Sequence, residues 1–209
     1  MANLVIFDLD GTIVHAPEFY RQVYSGTLTT LIAEQRGDEG LEVLAHCRKH
    51  YGGKGELALF ALNIPFTFWA ERLINASLDL IQPDPALVER LRSLPVKKVI
   101  YTGSPMKMAW RLLEKFGFRA EDFDLLIGWE EPDFFPLKWS CSPFLFKLML
   151  ANFHCEPNDA WAVGDDWETD LAPAQAIGMG TARVRKEGGD PDIWFPTLSG
   201  FLAHIGGLI

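Results

Sequence analysis

Leu4-Val5-Ile6-Phe7-Asp8-Leu9-Asp10-Gly11-Thr12 is the stretch from which the rest of the chain is read. Leu4 to Phe7 is a short continuous apolar run, the pattern of a strand buried on both faces of a parallel sheet. It stops at two carboxylates, Asp8 and Asp10. Acids at the carboxyl end of a buried strand are costly without a cation or a chemical task. In open α/β sheets, ligands bind at that end of the strands. A plain Asp-Gly turn would use the same residues. A calcium loop would need its glycine at the sixth position and a closing glutamate, and this stretch has neither.

The 209 residues, 48% hydrophobic and 22% charged, form an ordinary globular composition. That length suits one good core with a smaller inserted domain. A formal charge of −9 argues against nucleic-acid polymers and anionic membranes as partners, since both demand clustered Lys and Arg. It is compatible with an anionic substrate where a divalent cation inverts the local field. Cys47, Cys141 and Cys155 lack CxxC spacing and suit a reducing compartment. No basic segment leads into an apolar core at the amino terminus, and no apolar stretch reaches the ~18–20 residues that span a bilayer. The expectation is a cytoplasmic protein.

Beyond Thr12 the pattern turns helical from about His15 to Gln82. Pro17-Glu18-Phe19 opens a run with Val23, Leu28, Leu31 and Ile32 at helical spacing. Gly37 and Gly40 punctuate it, and a second helix through Leu41 and Cys47 stops at Tyr51-Gly52-Gly53. Two more are expected over 56–63 and 66–80. With no strand signal in this interval, the reading is a small helical domain, 15–82, inserted into a core formed by 1–14 and 83–209. Its eight aromatics match the 12% of the whole chain, so they read as packing rather than as a ring-binding site. Phe66-Thr67-Phe68-Trp69 is the one cluster.

After Pro83-Asp84-Pro85, strand and helix alternate. Strands are expected at 96–101, 124–127, 160–164, 180–184 and 193–195. Helices are expected at 104–116, 143–151, 169–177 and 198–205, with Ser104 as N-cap, Pro105 at N1 and Gly117 beyond the C-terminus. This alternation predicts an α/β fold, a Rossmann-like parallel sheet with helices on both faces. Thr102 ends the second strand just before a helix, so its hydroxyl and the Gly103 N–H form a cradle for an anion such as phosphate. Gly164-Asp165 ends the 160–164 strand, again in acids, with Asp170 five residues on.

These segments together resemble the haloacid dehalogenase-like (HAD) superfamily over nearly the whole chain. Asp8-Leu9-Asp10-Gly11-Thr12 matches motif I in the DxDGT form of its phosphotransferases. The strand ending in Thr102 matches motif II, and Gly164-Asp165 with Asp170 matches the GDxxxxD form of motif IV. Motif III calls for a Lys, usually followed by Pro, near a helix start. Phe135-Pro136-Leu137-Lys138-Trp139 supplies Lys138, followed by Trp instead. Lys147, inside the expected helix, reads as a solvated face residue.

The resemblance implies that Asp8 is the nucleophile and Asp10 the general acid/base. Thr102, Gly103 and Lys138 would bind phosphate. Asp8, the Asp10 backbone carbonyl and Asp165 would hold a metal, supported by Asp170. An insertion right after motif I is where the family's C1 caps sit, and a helical bundle is their usual form. Convergent carboxylates repel one another unless a cation binds, and oxygen ligands with water suit Mg²⁺. The function expected is Mg²⁺-dependent hydrolysis of a small phosphomonoester through an aspartyl-phosphate, by a monomer or homodimer. Asp10 argues against dehalogenation, whose halide leaving group needs no proton. A phosphomutase of the same superfamily, or a non-catalytic binding or regulatory module, are the alternatives. No GxSxG, HExxH or P-loop spacing competes.

Overall fold

The computed structural model describes residues 2–129 and 137–207, with Leu137 described by its backbone alone. Phe135 and Pro136 of the motif III stretch lie outside the described residues. Two compact units divide the rest: residues 2–15, 82–129 and 137–207 in one, and Ala16–Ile81 in the other.

The larger unit holds six parallel strands: β1 (Leu4–Phe7), β2 (Lys97–Pro105), β3 (Leu125–Trp129), β4 (Ala160–Gly164), β5 (Gly180–Val184) and β6 (Ile193–Phe195). Their order is β3-β2-β1-β4-β5-β6, a doubly wound α/β sheet with β1 at the point where the order reverses. All four residues of β1 are buried because alternate side chains feed opposite layers. Leu4 and Ile6 join the core of Phe146, Met149 and Leu150 from the helix Phe144–Asn152. Phe7 points the other way and meets Phe201 of the helix Leu198–Gly206 edge-to-face at 6.4 Å.

Two expectations fail at the ends of strands. The second strand does not stop at Tyr101, and no helix starts at Ser104-Pro105. β2 runs extended to Pro105 with a register irregularity between Tyr101 and Pro105, and the helix occupies Met106–Phe116 with no side-chain cap. Ser104 is not an N-cap because its hydroxyl is used elsewhere, as described below. The helix expected at 169–177 begins instead as a π-turn, Trp167–Leu171, before a short α-helix, Ala172–Gln175. Pro173 has no N–H for the Thr169 carbonyl, which favours the wider turn.

Away from these ends, Arg92 pins the helix Pro85–Ser93 to the turn before β3. Its Nε and Nη2 donate to Asp122 Oδ1 and Oδ2, both at 2.7 Å, and the Arg119 N–H adds a third bond at 2.9 Å. The Arg92 hydrogen bonds hold the Asp122 carboxyl below the usual carboxylate range. A depressed folded-state pKa stabilises the fold above the unfolded-state value, and that contribution is lost as pH falls through the folded one. Asp122→Asn is expected to lower stability by about 1–2 kcal/mol at pH 7, the partial exposure of Arg92 limiting the figure. The difference should shrink below about pH 4, as followed by urea unfolding across pH.

The second unit contains Pro17–Phe19, a π-turn Tyr20–Ser25, and the helical segments Gly26–His50, Leu57–Ala61 and Phe66–Ile74. The long segment breaks at Gly37, whose φ of 58° leaves the helical region and suits a residue without Cβ. Trp69 is buried, its Nε1 donating to Thr27 Oγ1 at 3.1 Å and its ring edge-on to Tyr24 at 5.9 Å. Phe68 is exposed. Among the described residues, no helix is long and apolar enough to cross a membrane.

Candidate active site

The parallel pairing of β1 with β4 sets Phe7 opposite Val163. Asp8 and Asp165 therefore leave adjacent strands side by side at the carboxyl edge. The π-turn after β4 returns Asp170 to the same place, fixed by the Asp166 N–H on its Oδ2 at 3.0 Å and by Thr169 Oγ1 on its Oδ1 at 3.1 Å. Two glycines give these acids room. A Cβ on Gly164 would come within 2.6 Å of Asp170 Cγ, and one on Gly11 within 2.5 Å of Asp165 Oδ2. Gly11 also has a φ of 88°.

Asp8, Asp165 and Asp170 each offer an oxygen within 4.8 Å of the others. Lys138, from the 3₁₀ turn Leu137–Ser140, enters this group from the β2 side. Its buried Nζ lies 2.5 Å from Asp8 Oδ1, 2.8 Å from Asp170 Oδ1 and 2.9 Å from the Tyr101 carbonyl. Those three contacts occupy all three ammonium protons. Burial works against the ammonium charge, but Asp170 and Asp8 outweigh it and hold the Lys138 pKa above its ordinary value. Burial, then the Asp170 charge, push Asp8 well above the usual carboxylate range, with Lys138 opposing. Burial also raises Asp165, although Lys186 pairs with it at 2.6 Å.

Among the described residues, the buried Asp8 Oδ2 has no hydrogen-bond partner. An orphaned carboxylate oxygen among three convergent acids fits a hard divalent cation, which takes oxygen ligands and completes its shell with water. The donor set suits Mg²⁺ better than softer metals, because among the described residues it contains carboxylates and no His or Cys.

Asp10 faces differently. Its Oδ2 accepts from Thr102 Oγ1 at 2.9 Å and from Ser104 Oγ at 2.7 Å, so the three carboxylates brought together include Asp170 rather than Asp10. Thr102 is buried, and its Oγ1 accepts the Ser104 N–H at 3.0 Å. The helix amides begin beyond Pro105, so the expected cradle at Thr102 and Gly103 belongs to a strand end, not a helix start. A Cβ on Gly103 would lie 2.6 Å from Trp139 Nε1. The Trp found where motif III usually has Pro thus packs against a position that only glycine leaves open.

Four residues around these loops stand outside the set that the sequence singles out. Ser104 has the sequence signature of a cap. Arg183, Arg185 and Lys186 come from the end of β5 and the turn after it. Arg183 Nε donates to the Asp165 carbonyl at 3.2 Å, and Arg185 Nη1 to the Gly11 and Thr12 carbonyls at 2.7 and 2.5 Å. Three cations within Arg183-Val184-Arg185-Lys186, at a strand end of an acidic chain, are the signal that the sequence offers for them.

Fold and site together define an α/β protein of doubly wound topology with acids clustered at the carboxyl edge of its sheet. Residues 2–178 match the model of the haloacid dehalogenase-like hydrolases, and the chain belongs to that family. Among solved structures, a HAD phosphatase from Thermococcus onnurineus is similar at 22% identity and a TM-score of 0.64, over 98% of each chain. A predicted phosphoglycolate phosphatase from Haemophilus somnus gives 18% and 0.65, again over 98% of each. An L-2-haloacid dehalogenase from Xanthobacter autotrophicus gives 16% and 0.62 over the whole of both chains. At these identities the likeness is one of fold. No curated protein matches the sequence.

Proposed function

We propose that this hydrolase is a Mg²⁺-dependent phosphatase acting on a small phosphomonoester through an aspartyl-phosphate. The observation that carries this reading is the division of labour between the motif I acids. Asp8 sits among charges with one oxygen on Lys138 and the other without a hydrogen-bond partner among the described residues, whereas Asp10 is held by two hydroxyls. That arrangement suits a nucleophile and a separate proton carrier. A dehalogenase has no use for the second acid.

Asp8 attacks phosphorus in line, forming the acyl phosphate bond as the ester P–O bond breaks. Asp10 gives its proton to the leaving oxygen. It then takes one from the water that attacks the aspartyl-phosphate, which returns Asp8 and releases phosphate. Lys138 and the Gly103 N–H offset charge on the phosphoryl oxygens, while the Thr102 hydroxyl, expected from the sequence to bind phosphate, is turned to Asp10. Asp8, Asp165, Asp170 and the Asp10 carbonyl would hold Mg²⁺, which supplies further positive charge at the transferring group. The Ala16–Ile81 unit is the cap that selects the substrate, here a small phosphorylated metabolite rather than a nucleic-acid polymer. The three free thiols, Cys47, Cys141 and Cys155, suit a cytoplasmic setting.

A panel of nucleotides, sugar phosphates and flavin mononucleotide, assayed for phosphate release with Mg²⁺ and with chelator, tests the proposal. Release that disappears with chelator and returns with Mg²⁺ is expected. Phosphate release indifferent to chelator would contradict it, as would halide release from 2-haloacids with no phosphate from any ester. A sugar bisphosphate appearing as intermediate, with isomerised product, would favour the mutase.

A further inference from the structure

The geometry points to Ser104 as a positioning residue that fixes which oxygen of Asp10 carries the proton. This inference rests on the phosphatase reading above. Thr102 and Ser104 both donate to the same carboxylate oxygen, Oδ2, at 2.9 and 2.7 Å. Each hydroxyl has a single proton to give, and both are directed at this one oxygen. The Ser104 N–H on Thr102 Oγ1 at 3.0 Å closes the group into a ring and orients the threonine hydroxyl. Both hydroxyl side chains are almost fully buried, so water does not compete for these bonds, and buried hydrogen bonds of this kind fix geometry strongly.

An oxygen that already accepts two O–H bonds is a poor place for a third proton. Protonated Asp10 therefore carries its proton on Oδ1. In the first step that proton goes from Oδ1 to the ester oxygen as the P–O bond breaks and the Asp8–phosphorus bond forms. In the second step Oδ1 receives the proton of the attacking water. The unusual path of β2 is what makes this possible. Because the chain stays extended through Ser104 instead of turning into a helix there, the serine hydroxyl reaches Asp10, 94 residues earlier in the sequence. Thr102 alone would let the carboxyl turn about one bond. The pair holds it.

Single-turnover release of the leaving group separates positioning from general structural support. An alkyl phosphate needs a proton on its leaving oxygen, whereas p-nitrophenyl phosphate expels a stable anion and needs none. Ser104→Ala deletes one oxygen from a buried site and should slow alkyl phosphate cleavage about 10-fold, a fraction of what a general acid contributes. Cleavage of p-nitrophenyl phosphate should stay within about 2-fold, which also reports that the variant is folded. Ser104→Cys, a weaker donor of similar shape, should fall between Ala and wild type on the alkyl substrate. Equal slowing of both substrates, or no change on the alkyl one, would overturn the inference while leaving the phosphatase reading intact. Wild-type enzyme that cleaves neither ester would overturn both.

Discussion

Asp8→Asn is expected to reduce phosphate release by about 10⁴-fold or more and to leave the fold intact. Removing a nucleophile that forms a covalent intermediate costs nearly the whole chemical advantage, because the remaining groups have no bond to make. The fold should tolerate the change for an electrostatic reason. Burial and Asp170 raise the Asp8 pKa. For an acid whose folded-state pKa exceeds its unfolded value, the ionised form is the disfavoured one in the fold. The amide variant weakens the bond to Lys138 but also removes repulsion against Asp170 and Asp165, and Lys138 keeps Asp170 and the Tyr101 carbonyl as partners. The unfolding free energy should stay within about 1 kcal/mol of wild type, read by urea denaturation beside the assay. A variant that is inactive because it is unfolded would contradict this account.

Lys138→Met should have the opposite profile, losing both stability and activity. The methionine fills similar volume, but Asp8 and Asp170 then face each other in a buried site with no ammonium between them. Breaking a buried ion pair by removing one partner costs about 3–5 kcal/mol, because the other charge is left uncompensated. Without the ammonium that opposes it, the Asp8 pKa rises further above its unfolded value. The penalty is therefore largest at neutral pH and shrinks as pH falls through that raised value. Millimolar Mg²⁺ should restore part of the loss, about 2.7 kcal/mol when the ion is at 100 times its dissociation constant. Turnover should fall about 10²–10³-fold. Denaturation curves at pH 5 and 7, with and without Mg²⁺, give all four values. Wild-type stability for the variant at pH 7 without metal would contradict the central place given to Lys138.

Much of the sheet is legible in the sequence because central parallel strands are unbroken apolar runs bounded by Asp and Gly. Leu4–Phe7 and Ala160–Gly164 read as strands for that reason and are strands, and the expected strands Gly180–Val184, which carries Thr181 and Arg183, and Ile193–Phe195, at the sheet edge, are present too. The end of β2 is different. Ser104-Pro105 carries a strong local signature for a helix start. Its true role depends on Asp10, a partner that no local pattern reveals. The π-turn at Trp167–Leu171 is hidden in the same way, since a helical pattern with Pro173 does not announce a wider turn. At the site, motif spacing identifies acids but not their facing. That Asp170 joins Asp8 and Asp165 while Asp10 turns to two hydroxyls is a tertiary outcome. The cations of Arg183-Val184-Arg185-Lys186 look like ordinary solvated charges in sequence, because their partners are backbone carbonyls and an acid in the loops after two other strands.

The most direct test of the account is to trap the intermediate. The enzyme with Mg²⁺ and its best phosphomonoester would be quenched in acid during turnover, digested, and analysed by mass spectrometry. One phosphoryl group on the peptide containing Asp8, removable by hydroxylamine and absent from Asp8→Asn, is the expected result. Rapid phosphate release with that peptide never phosphorylated, or with the label on another residue, would contradict it.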